Sequence, residues 1–263
     1  MATLAPGHPD AMARDERLFV KLSLGMAAVI FAGFSVQLAM GRSTFAAPPL
    51  VHAHAVVFMG WVVLFVLQTT FAATGRMALH RSLGWIATGW VAAMLVLGTT
   101  ATVAMVRRGQ APFFFLPQHF LIFDPAILVT FAALTAAAVA MRRRTDWHRR
   151  LHVCAMAILL GPGFGRLLPM PLLVPFAWEA TVVASLFVPA IGMVSDLRGH
   201  GRVHPAWGYG VGSMVLCLLL VEAVTFSPLG AMIYREVAKG SPGAAVAPLR
   251  YPAPPVGPVT GRR

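Results

Sequence analysis

The sequence predicts an all-α, polytopic transmembrane helix bundle with seven spans, and three observations predict it. Stretches at about 18–40, 50–73, 83–106, 120–141, 151–168, 176–195 and 206–233 are apolar and long enough to cross a bilayer as helix. A hydrocarbon core takes roughly 20 such residues per crossing. The 263-residue chain is 58% hydrophobic and 11% charged, with mean hydropathy +0.74, a balance foreign to a water-soluble domain of this length. The arginines lie in the connectors, where topology signals belong, rather than on one polar face. The net charge of +12 therefore points to a membrane and away from nucleic acid.

Taken in order, residues 1–17 form a short N-terminal segment carrying Arg14 and Arg17 beside Asp10, Asp15 and Glu16. The first span has an apolar run longer than the roughly 7–15 residues of a signal-peptide core, which makes it an uncleaved anchor. Phe45-Ala46-Ala47 is the alternative, a cleavage site. Spans two to seven pair into three helical hairpins, each with a short arginine-bearing turn that delivers a histidine to the returning helix. The histidines are His80, His148 and His204, and the first two share His-Arg-x-Leu. His54 and His119 open the outgoing helices of the first two hairpins, and Trp178-Glu179 stand at the matching place in the third. A spacing of roughly 60–65 residues suggests a repeated hairpin. The transmembrane domain is expected over 18–235. Residues 236–263, rich in proline, glycine and alanine, are expected to be disordered.

Arginine sets the orientation. With the N-terminus inside, the inner connectors hold Arg76, Arg81, Arg142, Arg143, Arg144, Arg149, Arg150, Arg198 and Arg202; the outer ones hold Arg42, Arg107, Arg108 and Arg166. This predicts a cytoplasmic N-terminus and a periplasmic C-terminus in a bacterial inner membrane.

Two spans are interrupted. Span five runs into Gly161-Pro162-Gly163, then Gly165-Arg166, Pro169, Pro171 and Pro175. That pattern is either a helix end with a wide turn or a broken helix that presents free backbone groups to a ligand, as in transporters. Asp124-Pro125 interrupts span four. Glu222 lies near the middle of span seven, where a lipid-exposed carboxylate costs about 2.5–3.5 kcal/mol. It must face the bundle, either as a helix-to-helix hydrogen bond or, with Asp124, as a proton or ion relay. Cys154 and Cys217 read as small core residues, with no disulfide framework or CxxC pattern.

Eight of the nine histidines sit at the ends of the apolar stretches. In an antiparallel bundle His54 and His119 share the outer ends of spans two and four. His80 and His152 share the inner ends of spans three and five, with His148 as the substitute should span five be rotated. Each pair is placed to bracket a planar macrocycle, giving two bis-histidine b-type haems stacked across the membrane. Arg81, Arg149 or Arg150 would then lie near the inner haem, able to pair with its propionates. Against this stand two other readings: His80, His148 and His204 as interfacial anchors, and His52, His54 and His119 as a zinc or copper site. His52 and His200 read as solvated, and His8 as part of a loose terminus.

His54, Gln68, Arg76, His80-Arg81 and Gly84-Trp85 resemble the His…Gln…Arg-x-x-x-His-Arg-x-x-Gly core of a family of uncharacterised bacterial multi-spanning integral-membrane proteins. Trp147-His148-Arg149-Arg150-Leu151 and Arg202-x-His204-Pro205 extend the resemblance over residues 50–235. It implies a membrane protein but no activity. The order of histidines along spans two to five is similar to that of the ascorbate-reducible transmembrane b-type cytochromes. That similarity implies haem b held by His54 with His119 and by His80 with His152.

Three functions remain open. One is haem b-based transmembrane electron transfer or quinone-linked oxidoreduction with a redox partner. The second is proton-coupled transport using Glu222 and the broken span five. The third is a membrane scaffold or assembly protein.

Overall fold

The computed structural model describes residues 9–254, and every regular element among them is helical. Six helices are long and apolar enough to cross a membrane: α1 (Pro9–Ala39, from Asp15 on), α2 (Pro49–Ala73), α3 (Met77–Arg107), α4 (Pro117–Ala140), α7 (Ala177–His200) and α8 (Pro205–Thr225). Their flanks carry large exposed apolar side chains such as Trp85, Phe187 and Leu216, the surface that lipid requires. Shorter helices are α5 (Thr145–Ile158), α6 (Gly161–Leu167) and α9 (Pro228–Ala238).

Helix starts and stops follow local chemistry. α2, α4, α8 and α9 each begin with proline at the first helical turn, where its missing N–H has no intrahelical partner to lose. Between α2 and α3 the chain reverses through Gly75 at φ +72°, a left-handed conformation that an L side chain rarely adopts.

The fifth expected span is two helices rather than one. Pro162 offers no N–H to the carbonyl of Ile158, and there α5 ends. Leu159 and Leu160 tighten the last turn by bonding to the carbonyls of Met156 and Ala157, three residues back. Residues 153–160 are all buried, because α5 is walled by α1, α4, α7 and α8. α6 then lies against α1 backbone to backbone: a Cβ at Gly33 would sit 2.6 Å from the Gly163 carbonyl oxygen.

The seventh expected span, 206–233, also divides. α8 stops at Thr225, and Ser227 caps the start of α9 by accepting the N–H of Gly230. Residues 239–254, expected to be disordered, instead run as a strap over the helix ends. Arg107 Nη1 donates to the carbonyls of Val237 and Lys239 at 2.7 and 3.2 Å, and Tyr234 donates its hydroxyl to Gly243. The Gln118 N–H donates to Pro248. The glycines that deny this segment a helical period also let it lie flat, since Gly243 touches the Val106 backbone. His8 and residues 255–263, the remainder of the expected tail, lie outside the described residues.

The bundle therefore has two polar ends. The first gathers the turns at 74–76, 141–144 and 201–204. The second gathers 40–48, 108–116, 168–176 and the strap.

Candidate functional site

At the first end the polar side chains around Arg150 and Asp196 satisfy one another, with Arg149 Nε the one atom of the hub left buried and unpaired among the described residues. Arg150 of α5, 3% exposed, donates Nε and Nη2 to the two carboxylate oxygens of Asp196 of α7 at 2.9 and 2.6 Å, and Nη1 to the Asp146 carbonyl. Asp196 also accepts the Trp207 indole N–H at 2.9 Å and the His204 backbone N–H at 3.2 Å. Arg149 pairs with Asp15 of α1 at 2.5 Å and lies over the Phe19 ring. The Ala206 N–H donates to His204 Nδ1, so that nitrogen is unprotonated; Nε2 carries the proton and donates to Asp146 at 2.8 Å. Burial holds the His204 imidazole below its ordinary pKa, with the Asp146 carboxylate pulling partly the other way. Gly192 completes the hub, because the Trp207 indole fills the space a Cβ would occupy.

Of the arginines expected beside haem propionates, Arg149 and Arg150 are thus spent on Asp15 and Asp196, and Arg81 is exposed. Sequence reasoning passed over Asp196. Its signal was an acid immediately after an apolar run, in a chain with only 9 acids to answer 21 bases.

Beside this hub lie His80, His148 and His152. His80 Nδ1–H donates to the Gln68 carbonyl at 3.2 Å and His148 Nδ1–H to the Ala138 carbonyl at 2.8 Å. A carbonyl only accepts, so each neutral ring keeps an unprotonated Nε2. His148 stands edge-on to both others, with ring centroids 6.2 Å from His80 and 4.6 Å from His152. The expected pair His80 and His152 is therefore linked through His148. Among the described residues no group of three or more His, Cys, Asp or Glu has the geometry to hold a metal ion. Among the described residues, neither of the following two cavities adjoins these rings. A groove of about 360 Å³ lies on the outward face of α8, by Gly208, Tyr209 and Leu216, and a void of about 10 Å³ lies beside Trp178 and Thr181. The rings as they stand do not fit a haem b between them.

At the second end the other expected pair falls into two settings. His54 stacks on Phe58 at 4.1 Å with its buried Nδ1 unpaired. His54 and Asp124 both lie within electrostatic reach of Arg166, on broken α6. The Thr102 hydroxyl donates to Asp124, and the Arg166 guanidinium rests 3.9 Å from the Phe34 ring centroid. His119 instead meets Glu222: Nε2 is 2.9 Å from Oε1. The two atoms are close enough for an ion pair but are not aligned for a hydrogen bond, so both stay unpaired. His52 is exposed and joins neither setting.

Around His119 and Glu222 the same condition recurs. Gln118 Oε1, Trp178 Nε1, Glu179 Oε2 and Thr225 Oγ1 are also buried without a protein partner. With His119 Nε2 and Glu222 Oε1 they make six of the eleven such atoms among the described residues, all at the starts of α4 and α7 and the end of α8. Aromatic rings flank His119: Phe123, Trp178 and Phe226 have centroids 5.4, 6.1 and 6.2 Å from its own. Glu179 lies within electrostatic reach of Glu222. Tyr251, on the strap, donates to the Pro175 carbonyl at 3.4 Å. Burial, and then the carboxylates of Glu179 and Glu222, push its phenol above the ordinary value.

Such a cluster is able to share a proton or hold a cation. It is confined to one end. Between Asp124 and Ala138 α4 carries no ionisable side chain, a gap of about 21 Å at 1.5 Å per residue. No protein-family model, no curated protein and no solved structure matches the chain.

Proposed function

We propose that the protein is a proton-coupled membrane carrier working at His119 and Glu222. The observation that carries this reading is the gathering of six unpaired buried polar atoms around that pair. Each such atom costs about 1–3 kcal/mol unless something binds it. Intramembrane ionisable groups are functional by default for the same reason. In this proposal α5 and α6 together form the fifth of seven crossings. The arginine-rich first end faces the cytoplasm of a bacterial inner membrane, and the second end faces the periplasm. His119 and Glu222 exchange one proton between them, and cargo binding at the second end changes which of them holds it. The break at Leu159-Leu160 and the glycine contact between α6 and α1 give the fold a place to hinge.

The test is proton entry into proteoliposomes loaded with a pH-sensitive dye under an imposed potassium diffusion potential. Wild-type protein conducts protons, Glu222→Gln and His119→Gln do not, and His80→Gln does. Flux that survives Glu222→Gln rejects the proposal.

A second reading, haem b-based electron transfer to a quinone or redox partner, draws on the first-end histidines. The Nδ1–H bonds of His80 and His148 to carbonyls are the arrangement that orients metal-bound imidazoles. It requires α3 and α5 to part. A Soret band in the purified protein, lost in His148→Ala, supports it; a colourless protein removes it.

A further inference from the structure

We infer that the second-end site recognises an organic ammonium ion, held between the Glu179 and Glu222 carboxylates and the aromatic rings beside His119. The inference rests on the carrier reading and names its cargo class.

The first argument is charge. Two carboxylates lie within electrostatic reach of each other. Among the described residues neither has a lysine or arginine within salt-bridge distance, and the contact at Glu222 is His119. The acidic pair, half-buried, therefore lacks a lysine or arginine counter-charge.

The second argument is size. Among the described residues His119, Glu179 and Glu222 do not converge as a metal ion requires, which removes a bare metal ion as the occupant. The third is the wall. His119, its side chain 9% exposed, is aimed at Glu222 from inside the protein, and Trp178, 2% exposed, stacks on Phe123 at 4.5 Å beside it. Phe226 is 60% exposed on the open side. Carboxylates combined with aromatic faces are what binds alkylammonium ions. The fourth is hydrogen bonding. Gln118 Oε1 and Thr225 Oγ1 are unpaired and able to accept, which favours a primary amine, with N–H groups to give, over a quaternary one.

The test is calorimetric titration of the full-length detergent-solubilised protein with phenethylammonium, with its uncharged analogue phenethyl alcohol, and with benzyltrimethylammonium. Phenethylammonium should bind best, the quaternary ion more weakly, and the alcohol not measurably. Glu222→Gln should weaken phenethylammonium about tenfold or more, Glu179→Gln by several-fold, and Phe226→Ala about threefold. Tyr209→Phe, on the outward face of α8, should leave it unchanged. If Glu222→Gln fails to fold by gel filtration, Glu179→Gln carries the test. Equal binding of the alcohol, no binding of either ammonium ion, or affinity unmoved by both glutamine variants overturns the inference. Glu222-dependent proton flux without ammonium binding would leave the carrier reading standing and remove only the cargo class. Loss of both removes both.

Discussion

The two ends of the bundle treat buried charge in opposite ways. At the first end Arg150 and Asp196 meet in two-point geometry, and Asp196 takes two further N–H donors. At the second, Glu222 and His119 touch without bonding, and four neighbouring polar atoms go unpaired. A satisfied network fixes helices in place; an unsatisfied one is a standing cost that a ligand or proton can relieve. Burial and charge alone do not separate structure from function. The state of the hydrogen bonds does.

The contrast is open to attack, and the largest effect lies at the first end. Arg150→Ala leaves the Asp196 carboxylate buried without its cation and should cost about 3–5 kcal/mol of stability, read as a lowered melting temperature in detergent. A melting point within error of wild type would remove the structural role of the hub. Gly192→Ala comes next. Its Cβ collides with the Trp207 indole that Asp196 holds, and displacing the ring should cost about 1–3 kcal/mol in the same assay. By contrast Glu222→Gln should change stability by no more than about 1 kcal/mol, because its partner contact is not a formed hydrogen bond.

The smallest effect is on pH dependence. His204 is held neutral in the fold, so the unfolded chain takes up a proton first as pH falls below the ordinary imidazole value of about 6.5. The contribution of His204 is thus fully present above that value and is lost as pH falls towards its depressed folded value. Melting curves of wild type and His204→Asn should diverge least at acidic pH and most at neutral pH. A difference that grows on acidification would reverse the sign and the tautomer assignment.

Much of this architecture was legible in the chain. Proline at the starts of α2, α4 and α8, and the Gly161-Pro162-Gly163 break, announce themselves locally, because proline and glycine act through their own backbone. The protein-walled setting of α5 was not legible, since hydropathy does not distinguish an apolar helix in lipid from one among other helices. The strap shows a related limit: a segment without helical period can still be ordered when its carbonyls are fixed from outside, here by Arg107 and Gln118. At the site, Glu222 and His119 each stood out as ionisable groups in apolar runs. Their meeting could not be read, because nothing local couples α4 to α8. Glu179 was marked by its place opposite His54 and His119 in the hairpin pattern, but without a partner to give it chemistry.

Infrared difference spectroscopy of the purified protein between alkaline and acidic buffer tests the central claim most directly, because it sees carboxyl protonation itself. The account predicts a protonated-carboxyl band that is absent in Glu222→Gln and shifted in His119→Gln, while the bands of the first-end carboxylates remain. A spectrum that Glu222→Gln leaves unchanged would mean Glu222 exchanges no proton, and would contradict the assignment of function to the second end.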